Sequence, residues 1–226
     1  MSKAPITLAI DTAQACCQCA LIDGDGNIYS ATEARARGHA EYIMDQIDLV
    51  LDNAQFEYEE LERVVVTSGP GSFTGLRVGL AAARGIAVAL DIPCLGVPTM
   101  FALSLSGEAD QAVSVIIDAR RDQHYRQDFA APGFPSSTPQ ALDNAVVLEG
   151  LSNEDSILGS GSEWAAQSVG ATDLELQRPE DERSFVDIVS LAFFGQSAPA
   201  EDYPPEPCYI RAADAKPQSA KHIERI

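Results

Sequence analysis

The residue types best able to hold a ligand or a partner are concentrated in one stretch, Gly69-Pro70-Gly71-Ser72-Phe73-Thr74-Gly75-Leu76-Arg77-Val78-Gly79. It follows the branched apolar run Val64-Val65-Val66 and opens a small-residue segment reaching Leu90, so the pattern predicts strand, tight turn and helix. Gly69 and Gly71 on either side of Pro70 permit the sharp reversal, and Ser72 is a good N-cap for a helix beginning near Phe73. The open N–H groups of such a helix start, with Arg77 one turn in, could hold an anion. The stretch is not a P-loop, which would need Gly-Lys-Ser/Thr where Gly75-Leu76-Arg77 stands, and its glycine spacing does not match Gly-x-Gly-x-x-Gly. A close-packed turn without a ligand fits the same residues. Gly75, Gly79 and Gly85, with Ala81, Ala82 and Ala83, also predict a helix face that a neighbour approaches closely.

Other residues offer weaker chemistry. Asp11 and Thr12 end the apolar run Ile6-Thr7-Leu8-Ala9-Ile10, where the carboxylate could serve a phosphate or magnesium ion or simply cap a turn. Asp118 and Arg120 follow another apolar run and suit a local surface ion pair worth about half a kcal/mol. Gly159-Ser160-Gly161-Ser162 reads as a turn capping a helix. His39 stands alone, and a single imidazole makes no metal site; a helix-start or hydrogen-bonding role suffices. Cys16, Cys17 and Cys19 crowd one strand within an odd total of five cysteines, which predicts buried thiols and no disulfide framework or metal cluster. No serine or cysteine has a histidine at a spacing suited to nucleophilic catalysis. Asp23-Gly24-Asp25-Gly26 lacks the calcium-loop pattern and reads as a hairpin turn.

These residues need elements to position them. Strands are predicted over 6–12, 16–22 and 27–33, then a helix over 42–53 whose Ile43, Ile47, Val50 and Leu51 share one apolar face that Met44 widens. A short helical bridge over 56–61 leads to a strand over 64–67, the signature turn and the long helix over 73–90. A strand over 94–97 and a helix from Pro98-Thr99 to Leu105 precede a lobe boundary at Ser106-Gly107-Glu108-Ala109-Asp110. A strand over 113–121, its hairpin partner over 125–129, a loop over 130–139, short strands over 146–148 and 157–158, and a helix over 163–169 follow. Phe185, Ile188, Val189, Ala192 and Phe193 predict a final amphipathic helix. In the proline-rich tail after Ser197, Tyr209 and Arg211 either pin the tail to the body or present it to a partner.

Composition bounds the reading. A chain of 226 residues with 46% hydrophobic content can bury a substantial core. There is no apolar run of membrane-spanning length, and Met1-Ser2-Lys3-Ala4-Pro5 leads into a strand without a signal peptide, so a cytoplasmic location is expected. The net charge of −19 disfavours independent binding of a phosphate backbone. Acid-rich, lysine-poor composition also suits a salt-tolerant source.

The stretch over 69–79 resembles the signature of the TsaB (YeaZ) family, bacterial subunits of the machinery that makes threonylcarbamoyladenosine in tRNA. Asp11-Thr12, His39, Asp118-Ala119-Arg120 before an aromatic, and Pro207-Cys208-Tyr209-Ile210-Arg211 extend the resemblance, with Ile210 where the family's Pro-x-Tyr-Leu-Arg ending has leucine. It implies an α/β, two-lobed ASKHA (actin/hexokinase/Hsp70-like) fold with mixed sheets flanked by helices. An N-terminal lobe over 1–105 would carry the partner-binding helices, and a smaller C-terminal lobe over 106–226 would carry the tail. In that fold the turn at Asp11 and Thr12 faces nucleotide phosphates, making both candidate nucleotide-binding residues.

The catalytic paralogue TsaD resembles this chain at His39 but carries His-x-x-x-His where Val97-Pro98-Thr99-Met100-Phe101 stands here. The resemblance therefore implies a non-catalytic subunit without a cofactor of its own, ATP and metal belonging to its partners. It implies pairing with TsaD through His39, Ile43, Met44, Ile47, Leu76, Leu80 and Ala83, action together with the ATPase TsaE, and homodimerisation when alone. The complex would place threonylcarbamoyl on the adenosine next to the anticodon of tRNAs reading A-starting codons, with tRNA reached only through the complex and no membrane involved. The alternative is an independent ATP-binding ASKHA kinase or hydrolase using Asp11, with Asp118 as second carboxylate; the glycine-rich second turn it needs is not evident.

Overall fold

The computed structural model describes residues 3–34, 38–152, 155–170 and 184–211. Strands β1 (Thr7–Asp11), β2 (Cys16–Ile22) and β3 (Ile28–Ala34) form an antiparallel meander, followed by helix α1 (His39–Ala54). Strand β4 (Arg63–Gly69), helix α2 (Phe73–Leu90), strand β5 (Cys94–Pro98) and helix α3 (Thr99–Ser104) come next. The first sheet has the order β3-β2-β1-β4-β5, with β1, β4 and β5 parallel.

Every residue of β1 and β2 is buried, as expected of strands covered on both faces. The period of two sends Leu8, Ile10, Leu21, Val64 and Val66 to one side, where α1 and α2 pack over them. It sends Ala9, Ala20, Ile22, Val65 and Leu95 to the other, into a core shared with the second half of the chain.

That half begins with β6 (Val113–Asp118), β7 (Gln123–Ala131), β8 (Phe134–Pro135) and β9 (Gln140–Asp143), then α4 (Asn144–Val147), β10 (Ser156–Leu158), α5 (Ser162–Ser168) and α6 (Ile188–Ser197). Its sheet runs β10-β6-β7-β8, with β9 also paired to β7. The two mixed sheets flanked by helices are the ASKHA arrangement expected. Helix α6 returns to the first sheet and covers the face opposite α1 and α2: a Cβ on Gly195 would lie 2.6 Å from the Val65 side chain. The Arg63 guanidinium donates to Gly195 O (2.8 Å) and Ala198 O (2.6 Å), placing a cation at the carbonyl end of α6.

Several local expectations change. Helix α1 begins three residues early because Gly38 takes a left-handed N-cap conformation (φ 83°). Residues 146–148 are not a strand. Val147 is buried against Ile116 and Ile157, and Arg126 donates to Val147 O (2.8 Å) and Glu149 O (2.7 Å), which stabilises the short helix α4. The pairing strand there is β9. The loop expected over 130–139 contains β8, hydrogen-bonded to β7. Asp118 and Arg120 meet through the Arg120 backbone N–H, which donates to Asp118 Oδ1 at 2.7 Å, not as a side-chain ion pair. By length and hydropathy (mean 1.4), α2 would pass for a membrane span, contrary to the sequence expectation; its apolarity is spent on the first sheet through Leu76, Leu80, Ala83, Ile86 and Ala87.

Candidate functional site

The signature stretch folds as its residues dictate. Ser72 caps α2, its Oγ accepting from Gly75 N at 3.3 Å. The turn after β1 is sutured onto this helix start. Ser72 N donates to Ala13 O (2.7 Å), and Thr12 Oγ1 donates to Gly75 O (2.7 Å). A Cβ on Gly71 would lie 2.2 Å from Ala13 O, one on Gly75 2.1 Å from Thr12 O, and one on Gly79 2.4 Å from Thr12 Oγ1. Three glycines therefore serve close packing between two backbone segments. Gly69, at φ 116°, instead makes room for the tail, since its Cβ would fall 2.4 Å from Cys208 O.

Asp11 and Thr12 are both buried. Asp11 accepts from Ala13 N (3.0 Å), Gln18 Nε2 (3.0 Å) and Thr67 Oγ1 (2.6 Å). The aspartate thus closes the turn and ties β1 to β2 and β4, and neither it nor Thr12 lines a described cavity. Gly159 and Gly161 lie against Ile116 O and the His124 ring, so this glycine pair also makes a packing turn. The N-cap of α5 is Gly161, with no side-chain cap.

The proposed partner residues separate into two groups. Ile43, Ile47, Leu76, Leu80 and Ala83 are buried in this chain's own core, because the apolar face on α1 and α2 that the sequence displays is the face that covers the first sheet. That corrects their assignment as surface contacts. Met44 does reach the surface, 41% exposed. It sits between two shallow apolar hollows of about 510 and 420 Å³ that run along α2. Phe73, Val78, Ala81, Ala82 and Gly85 supply most of their floor. Ala81, Ala82 and Gly85 belong to the small-residue face expected to take a close neighbour, whereas Val78 was not among the expected contacts. His39 opens α1, but its side chain lies outside the described residues. Arg77 lies over the Phe73 ring, 3.8 Å from its centroid.

The tail is pinned. Gly96 N donates to Tyr203 O (2.9 Å), and Cys208 N donates to Ser68 O (2.7 Å). Tyr209 meets Phe73 with ring centroids 6.1 Å apart, and Arg211 donates to Gln123 Oε1. Residues 203–211 therefore cross from β5 over the signature turn to β7. A cleft of about 560 Å³ separates the two sheets, walled by Phe73, Thr74, Asp118, Arg120, Tyr125 and Ser160 among others. Cys16, Cys17 and Cys19 are buried as expected; desolvation, with Cys17 beside it, pushes the Cys19 thiol up to about 12.

This geometry has close relatives. Residues 31–200 match the family model described as TsaD: tRNA N6-adenosine threonylcarbamoyltransferase. The tRNA threonylcarbamoyladenosine biosynthesis protein TsaB of Bacillus subtilis is 30% identical over 235 residues, covering 96% of this chain and 97% of that protein. The chain belongs to the TsaB (YeaZ) family. The TsaB of Escherichia coli is 29% identical over 70% of this chain and 72% of its own length. An uncharacterized protein of Mycobacterium leprae is 34% identical over 63% of this chain, which spans only 42% of that relative. Among solved structures, YeaZ from Pseudomonas aeruginosa superposes with a TM-score of 0.72 at 26% identity, over 91% of this chain and 99% of that one.

Proposed function

We propose that this protein is an accessory, non-catalytic subunit in the formation of threonylcarbamoyladenosine in tRNA, acting by pairing with a TsaD-type threonylcarbamoyltransferase. Near full-length similarity to a TsaB carries the reading, and the apolar surface along α2 supports it. Small residues at Ala81, Ala82 and Gly85 let a partner helix approach closely, with Met44 and Phe73 as larger contacts. ATP and metal belong to the partners, TsaE among them, and tRNA is reached only through the complex; this agrees with the acidic surface. The same surface would support a homodimer of the isolated chain, and the complex would work in the cytoplasm. The lobes divide near residue 105, α6 crossing back to the first.

Co-purification with the TsaD-type protein of the same organism tests this, coupled to a tRNA threonylcarbamoylation assay. A defined heteromer is expected, active only with both chains. Ala81→Glu, on an exposed position, is expected to break the heteromer and abolish modification while leaving the melting temperature unchanged. An intact, active heteromer carrying Ala81→Glu would remove this interface. Absence of any association would remove the reading itself.

A further inference from the structure

We infer that the cleft between the two sheets binds a small organic monocarboxylate. At about 560 Å³ it has the size of a small-molecule site, and Phe73, Tyr125 and Phe185 give it aromatic walls for a hydrocarbon body. Several of its polar groups are donors suited to one planar anionic head. The N–H groups of Phe73 and Thr74 open an 18-residue helix, where first-turn N–H groups have no intrahelical acceptor and the helix dipole favours negative charge. Gln14 lines the same hollow at 8% exposure, and its Nε2 has no hydrogen-bond partner among the described residues. An orphaned buried amide costs about 1–3 kcal/mol, which an incoming acceptor would recover.

Arg120 is the basic residue among those lining the cleft, and no ion pair among the described residues engages it. Asp118 stands beside it on the same wall, with Oδ1 taken by the Arg120 N–H. The guanidinium and the carboxylate sum to zero, so the cleft offers one cation to the head of a singly charged ligand and none to the further charges of a phosphate chain, which the net charge of −19 also repels. Asp11, buried and outside the lining, leaves no carboxylate pair to hold a phosphate-bound metal. The tail holds the walls in place: Tyr209 rests on Phe73, and the Arg211 guanidinium lies 5.9 Å from the Tyr125 ring centroid. The site is thus preorganised, and it shares Phe73 and Thr74 with the hollow along α2.

The isolated full chain can be titrated with benzoate, with benzamide as its neutral isostere and with inorganic phosphate, following backbone amide signals by NMR. Benzoate is expected to shift Phe73 and Thr74 with a dissociation constant in the millimolar range, and benzamide to leave them in place. Arg120 has φ 60°, a conformation asparagine adopts readily, so Arg120→Asn removes the charge without backbone strain. That variant is expected to weaken benzoate at least about five-fold at an unchanged melting temperature. Equal shifts with benzamide, an unaltered titration in Arg120→Asn, no shift at saturating benzoate, or displacement of benzoate by lower concentrations of phosphate would each overturn the proposal, the last in favour of a phosphate site.

Discussion

Gly75 and Gly85 lie in the same helix, yet the space around them differs completely. A Cβ at Gly75 meets the Thr12 carbonyl at 2.1 Å, whereas nothing lies within 4 Å of one at Gly85. Gly75→Ala is therefore expected to cost about 2–4 kcal/mol, because both facing atoms are backbone and neither can give way. Gly85→Ala should stabilise the isolated chain by about 0.5–1 kcal/mol through the lower entropy of its unfolded state. Denaturant unfolding of the two variants measures both; equal effects would mean that helix propensity alone decides. Asp11→Ala should be costly for another reason: it orphans the Ala13 N–H and the Thr67 hydroxyl in a buried site and leaves the Gln18 amide only its bond to Val186 O, a loss of about 3 kcal/mol or more.

The cysteines set an alkaline limit. Burial raises the Cys19 thiol from its ordinary 9.0 to about 12 and Cys94 to about 11. Above pH 9 the unfolded chain loses these protons first and the folded chain keeps them, so stability should be level below pH 9 and fall as pH rises from there toward 11. Unfolding midpoints between pH 8 and 11 show this, and Cys19→Ala should flatten the fall. A slope unchanged in that variant would assign it to other groups.

At the scale of elements, α2 serves two masters, and only one of them was legible. Its limits, the Ser72 cap and the strand before it follow from local signals: a branched run, a Gly-Pro-Gly turn, a capping serine and a long small-residue segment. Strand β2 was equally plain, because seven consecutive residues of sheet-compatible type end at an Asp-Gly turn. What a one-dimensional pattern cannot say is which neighbour an apolar face covers. Ile43, Ile47, Leu76 and Leu80 looked like a docking surface but belong to this chain's own core, while Ala81, Ala82 and Gly85 read as a close-packed face with no sign of whether this chain or a partner covers it. Helix α4 was illegible for the same reason, since Arg126 from β7 stabilises it across the fold. The cleft assembles from residues over a hundred positions apart, and no short motif announces it.

The tail was undecided by sequence, and its bonds decide it. Deleting residues 203–226 should raise amide exchange at Gly96, whose N–H bonds to Tyr203 O, and around the 119–123 turn, while the centres of β1 and β2 stay protected. Unchanged exchange at Gly96 would show that the tail rests on the body without holding it.

For the whole molecule, charge dominates. With 34 acidic and 15 basic residues, the folded chain repels itself, and salt screens that repulsion over about 10 Å at 0.1 M. The melting temperature should climb from low salt to 1 M sodium chloride. A flat dependence would mean that the acidic groups are spread too far apart to matter.

Helix α6 also ties the fold to the order of synthesis. The first sheet is made of residues 7–98, but one of its faces is covered by residues 188–197. On the ribosome, Ala9, Ala20, Val65 and Leu95 must wait, with their apolar face uncovered, until about half the chain again has been translated. The nascent protein is therefore exposed to chaperones and to misassembly for the time needed to make that second half, and the first sheet reaches its final burial among the last events of folding.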